Sequence, residues 1–238
     1  MPRGRGRRRV VSVVVALLVL VALLAGGLVG TAWAATPSAD GTMARVEAFT
    51  RRHGGVMIPP GGVPATLAHA LVATEDASFY RNPGIDFEGT GRAVLYDLAN
   101  RCVCQGGSGI TQQLVEDVYF GGDDTSPRKY VEDTTLAIKI DRRLPKAQIL
   151  AAYFSEVYLG HGAYGAVVAS RVYFDRPLDD LTLTRYAMLA GLPRAPTAYD
   201  PLVHPAAARA RVRQVLAAMV AAGYVTAAQA SHAAAGSL

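Results

Sequence analysis

"ATEDASFYRNPGIDFEGTGRA", residues 73–93, sets two adjacent acids, Glu75 and Asp76, between an apolar run and an aromatic, with a glycine-rich stretch behind them. Two carboxylates at the end of a segment that reads as packed either cap and solvate a helix or place one of them to handle a proton. The residues upstream frame the choice. Leu67, Ala70, Leu71 and Thr74 recur at i, i+3 and i+4 spacing with Thr66 as the expected N-cap, which predicts a helix with Glu75 on its last turn. The partly negative C-terminal end of a helix disfavours a charged carboxylate and raises its pKa toward the range of a working base.

The same period recurs downstream and decides the fold class. Ile149, Leu150, Tyr153, Phe154, Val157 and Tyr158 form a broad apolar face behind Pro145 in a first-turn position. Residues 181–192, "LTLTRYAMLAGL", and 209–224, "RARVRQVLAAMVAAGY", each read as a helix ending near a glycine. No run of strand length alternates, so a mainly α fold is expected.

A length of 238 residues is enough for one sizeable domain. The net charge of +5 is local: of 24 basic residues, five arginines fall in the first nine positions, and the remaining 19 balance 19 acids. A basic tail of that kind is poor support for a nucleic-acid groove, so no nucleic-acid partner is expected. From Val10 to Val29 the chain carries no charge, and the next charged residue is Asp40. Twenty such residues span ~30 Å as a helix, the thickness of a bilayer core, and the arginines before them hold that end in the cytoplasm. "AWA" at 32–34 also resembles a signal-peptidase site, and either reading exports the remainder of the chain. The expected organisation is a cytoplasmic basic tail at 1–9, a transmembrane anchor at 10–30, a linker at 31–55 and the folded domain at 56–238. The protein would then sit in the plasma (inner) membrane as a single-pass chain with an extracytoplasmic domain.

Three polar clusters carry candidate chemistry. "QGGSGITQQ" (105–113) joins a glycine loop to Ser108, Thr111, Gln112 and Gln113, neutral donors and acceptors that suit sugar hydroxyls and phosphate oxygens. "SPRKYVED" (126–133) sets Arg128 and Lys129 one turn before Glu132, a fork donor and a point cation beside a carboxylate. That combination suits an anionic, phosphorylated ligand. Cys102 and Cys104, the only cysteines, lie in a C-x-C whose ring is awkward to close, and no chemistry here calls for a thiol.

In order, these segments resemble the peptidoglycan glycosyltransferases of glycosyltransferase family 51. The matching residues are Glu75 to Phe79 with Gly84 and Asp86, Gly106 to Gln113, Arg128 to Glu132, and Lys146 to Leu150 with Tyr153; "GHGAYG", "YFDRPLDDLTL" and "LAGLPRAPTAYDP" also fit. The resemblance covers roughly residues 56–225. It implies a lysozyme-like, mainly α domain that polymerises lipid II into glycan strands. Its implied partners are lipid II, the growing strand, the membrane and other cell-wall synthesis proteins. It makes Glu75 the general base and Glu132 an assisting acid at the donor side. Asp76, Ser108, Thr111, Gln112 and Gln113 join the substrate site, and Arg128, Lys129 and Lys146 hold the diphosphate. A divalent cation, Mg or Mn, often supports such a leaving group; its ligands are not assigned by this sequence.

The chain departs from the family pattern at Asn82 for histidine, Gly109 for threonine, and Glu116 and Asp117 for lysine and asparagine. Ala151 and Ser155 likewise replace an acid and an asparagine. Two other functions use similar parts: a non-catalytic lipid II-binding scaffold, and a lytic enzyme that cuts finished glycan.

Overall fold

The structure, a computed structural model, describes residues 20, 26, 27, 30–100, 108–121 and 126–238. The expected anchor lies almost wholly outside these residues, as do Cys102, Cys104, Gly106 and Gly107. Among the described residues no helix is long and apolar enough to cross a membrane.

Helices follow one another through the domain: α1 (Thr42–Arg52), α2 (Ala65–Glu75), α3 (Phe87–Asn100), α4 (Ile110–Val115), α5 (Pro127–Arg143), α6 (Lys146–Glu156), α7 (Ala166–Phe174), α8 (Leu183–Gly191), α9 (Pro205–Ala221) and α10 (Ala227–Ala235). Among the described residues the β structure is one isolated bridge, Tyr158 to Tyr164. A mainly α fold is what the periodicity predicts.

Two packed groups organise the core. Helices α2, α8 and α9 contact one another, and α10 adds to α8 and α9. Helix α4 packs on α5 and α6, and α1 lies against α6. Helix α2 buries Leu67, Ala68, Ala70, Leu71 and Val72, so it is apolar nearly all round and belongs in an interior. Helix α6 is buried from Ile149 to Glu156, and Tyr153, Phe79 and Phe154 are the largest wholly buried side chains. Full burial of residues of this size is worth ~1.5–3 kcal/mol each.

Three expectations change. Thr66 does not cap α2: the helix begins at Ala65, with extended Pro64 before it accepting from the Ala68 N–H at 3.0 Å. Pro145 precedes α6 instead of opening its first turn. The stretch 31–55 is not a plain linker, because α1 lies inside it. Val46 and Thr50 of α1 are buried, and Thr42 shares a 2.8 Å hydrogen bond with Tyr119. Packing on α6 decides that helix, and its few apolar positions alone do not announce it.

Glu156 is an outlier in this core. It is fully buried, neither of its oxygens has a hydrogen-bond partner, and burial, then the nearby Asp117 charge, hold its pKa well above the ordinary glutamate value of 4.5. A group held protonated on folding contributes stability below its unfolded pKa and loses it as pH rises toward the raised value. Glu156→Met is therefore expected to stabilise the protein by about 1–3 kcal/mol, the cost of an unsatisfied buried polar group. That corresponds to about 2–4 °C of unfolding midpoint per kcal/mol. Thermal melts at pH 5 and pH 8 check the sign, since the gain should grow with pH.

Candidate active site

Glu75 ends α2, and Asp76 turns the chain out of the helix. The two neighbouring acids then part company. Asp76 is 1 % exposed and accepts from the Asn82 amide at 2.8 and 3.1 Å, from Ser78 at 3.2 Å and from the Ile110 N–H at 3.3 Å. It is a joint that ties the loop after α2 to the start of α4. Glu75 instead lines a cavity of about 570 Å³ with Ser108, Gln113, Arg92, Arg194 and Arg211. Direction separates the paired acids: one builds the loop and the other faces the cavity.

Arg211 gives Glu75 its partner. Its Nη2 donates to Glu75 Oε1 at 2.9 Å, and both side chains are about nine-tenths buried, at 11 % and 10 % exposed. The guanidinium also donates to the Gly191 carbonyl at 3.0 Å and lies over the Tyr199 ring. Helix α8 ends at Gly191 as expected, and a Cβ there would stand 2.8 Å from Arg211 Cγ, so this glycine also gives the arginine clearance. Burial raises the Glu75 pKa, and Arg211, the Gln113 hydrogen bond and Arg194 only partly oppose it. The sequence points to the helix end as the cause; in the structure the cause that raises it is desolvation.

Gln113 is held from behind. The Tyr153 hydroxyl donates to its Oε1 at 2.8 Å, which leaves its Nε2 to donate toward the Ser108 carbonyl at 3.3 Å. A second cavity of about 280 Å³ shares Gln113 and Pro193 with the first and is also lined by Glu116 and Asp117. These two acids open the π-helical turn Glu116–Phe120 that follows α4. Asp117 is raised to about 6, by burial first and then by Glu116.

The other residues singled out in sequence go elsewhere. Thr111 and Gln112 are buried, at 1 % and 3 % exposed, and Gln112 spans from the Gly109 N–H to Thr134. Lys146 donates to the Asn82 carbonyl at 2.8 Å, pairs with Asp141 and lies over the Phe79 ring. Lys129 bridges Glu116 at 3.1 Å and Asp133 at 3.2 Å. The exposed Arg128 pairs with the partly buried Glu132 at 2.8 Å, and Glu132 lines neither of these two cavities. The cations that line the larger cavity are Arg92, Arg194 and Arg211. Arg211 had one legible signal, its place on the buried stripe of α9 with Ala208, Val212, Val215 and Leu216.

The departures are accommodated locally. Asn82 uses both ends of its amide, donating to Asp76 and accepting from Gly84 and Lys146. A Cβ at Gly109 would meet Asp76 Oδ2 at 2.6 Å, so a threonine there would require the Asp76 carboxylate to shift. Ser155 accepts from the Ile58 N–H at 2.8 Å and donates to the Ala151 carbonyl at 2.6 Å, pinning the segment before α2 onto α6. A metal fits less well: Lys129 already occupies Glu116 and Asp133, and no cluster of three or more metal-binding side chains forms among the described residues.

The family model for transglycosylase matches residues 42–220, three quarters of the chain. The chain belongs to the transglycosylase family. A Cupriavidus necator protein provisionally named a transglycosylase is 39% identical over 220 residues, covering 92% of this chain and 93% of its own. Penicillin-binding protein 1A of Neisseria lactamica is 40% identical over 179 residues, 75% of this transglycosylase and 22% of that protein. The chain thus spans about a fifth of the penicillin-binding proteins it matches. The crystal structure of penicillin-binding protein 1A from Haemophilus influenzae aligns over 77% of this chain and 18% of its own, at 19% identity and a TM-score of 0.45.

Proposed function

We propose that this transglycosylase polymerises lipid II into peptidoglycan strands on a lysozyme-like domain. One observation carries the reading: a buried carboxylate of raised pKa, Glu75, faces a cavity that also holds three arginines. A sugar hydroxyl is a poor nucleophile and needs a base, while a departing diphosphate needs positive charge. Glu75 takes the proton from the acceptor's 4-hydroxyl as its oxygen attacks the donor's anomeric carbon. The bond from that carbon to the diphosphate breaks, and lipid diphosphate leaves against Arg92 and Arg194. Gln113, fixed by Tyr153, orients the acceptor beside the base. Glu132 acts from the donor side. A divalent cation, if bound, would neutralise charge on the leaving diphosphate. The apolar run at 10–29 holds the chain, its N-terminus in the cytoplasm, in the plasma membrane that also carries both lipid-linked substrates.

The direct test incubates the detergent-solubilised chain with lipid II and looks for polymer on a gel. Absence of polymer with retained lipid II binding would favour a scaffold, and cleavage of finished glycan would favour a lytic enzyme.

Glu116 keeps Lys129 from the substrate. Replacing it with glutamine leaves Lys129 paired to Asp133 alone and able to reach a phosphate oxygen. A charge-assisted hydrogen bond is worth ~1.5–3 kcal/mol and ~1.4 kcal/mol is tenfold, so Glu116→Gln is expected to lower the KM for lipid II about tenfold. The gain should shrink with salt. Lysine is the wrong replacement here, because it would set a like charge beside a buried ammonium. A KM unchanged at every ionic strength would remove Lys129 from donor binding.

A further inference from the structure

Residues 30–35 are helical and come directly after the uncharged run at 10–29. The end of this segment is docked on α5. Lys139 Nζ donates to the carbonyls of Trp33 at 2.6 Å, Thr36 at 2.8 Å and Pro37 at 3.3 Å, an ammonium closing a helix C-terminus. Thr36 supports the same turn by donating to the Ala32 carbonyl at 3.0 Å. Lys139 and Arg142 both lie over the Trp33 ring, at 5.1 and 5.3 Å from its centroid. Between these groups opens a cavity of about 420 Å³, walled also by Arg143 and by Asp40. Neither the proposed glycosyl transfer nor the core needs this cavity.

We propose that the cavity binds the phosphodiester headgroup of an anionic phospholipid in the outer leaflet. This rests on the membrane placement under the proposed function. Three cations face one carboxylate there, and that carboxylate is already satisfied by Ser38 at 2.8 Å and Arg143 at 3.0 Å. Arg142 is exposed, and a guanidinium over a ring still has N–H donors to offer an oxyanion. Tryptophan belongs at the boundary between hydrocarbon and water, which is where a residue a few positions beyond a membrane span lies. The site would hold the base of α5 at a set height above the membrane, and α5 carries Lys129 and Glu132.

Trp33 is the only tryptophan among eleven tyrosines, so fluorescence excited selectively at tryptophan reads this site alone. The full chain is placed in nanodiscs of phosphatidylcholine, or of phosphatidylcholine and phosphatidylglycerol in equal parts, and quenched with neutral acrylamide. Phosphatidylglycerol is expected to reduce quenching at least about two-fold, less so in high salt. Arg142→Gln should erase the difference between the two lipids, and Arg142→Lys should keep only part of it. Full retention in Arg142→Lys would mean diffuse surface charge and no built site. Equal shielding by soluble glycerophosphate in phosphatidylcholine discs would assign the cavity to a free phosphate. A chain that inserts and polymerises lipid II yet quenches equally in both lipids overturns this site alone. A chain that fails to enter either disc overturns the membrane placement beneath it.

Discussion

Glu75→Gln is expected to lower polymer formation by about 10²–10⁴-fold, the usual contribution of a positioned general base. At ~1.36 kcal/mol per decade this is ~3–5 kcal/mol of barrier. The glutamine keeps the length of the side chain and an oxygen for Arg211, which retains its bond to the Gly191 carbonyl. Circular dichroism should therefore show unchanged helicity, and lipid II binding should survive. In the unaltered protein the base must be ionised to act, and burial raises its pKa above the ordinary 4.5. The rate should accordingly fall on the acid side at a pH above the usual glutamate range. Near-normal turnover in Glu75→Gln would take the base role away from this residue.

Arg211→Met carries the second large effect, through Glu75. Removing one partner of a buried pair costs ~3–5 kcal/mol if the other charge stays, so in practice the carboxylate takes up a proton. Arg211 lowers the Glu75 pKa by its charge and by its hydrogen bond, and both are lost. The acid limb of the rate profile should then move to higher pH. A larger share of the enzyme would then hold a protonated, useless base, and raising the pH should restore part of the rate. A simple structural loss would depress the rate at every pH alike. Rate profiles of the two proteins, with thermal melts across the same range, separate the outcomes. A profile with the same acid limb as the parent would show that Arg211 does not set the state of Glu75.

The helices that frame this site are legible because apolar periodicity is local. Leu67, Leu71, Ile149 and Tyr153 announce buried faces from their own neighbourhoods, and each is in the core. Helix α1 escapes such a reading because its short, charged sequence gains its structure from α6. The glycine at the end of α8 is legible as a helix end, but that its lack of a side chain also gives passage to an arginine from α9 is not.

Cations illustrate the limit most clearly. Sequence shows that Arg128, Lys129 and Lys146 lie near the right motifs, but an ionic group is defined by its neighbours within a few ångströms. Lys146 is claimed by Asp141 and Asn82, and Lys129 by Glu116 and Asp133. Arg211 comes from 136 positions away to meet Glu75.

By itself the sequence determined the mainly α class, the order of the family motifs and the presence of Glu75 at a helix end. Those features arise from spacing along the chain and from the short range of backbone hydrogen bonding. Only the tertiary structure decided that Asp76 builds a loop while Glu75 faces a cavity, and which arginines share that cavity. Burial and charge pairing depend on separation in space, which packing sets and chain position does not.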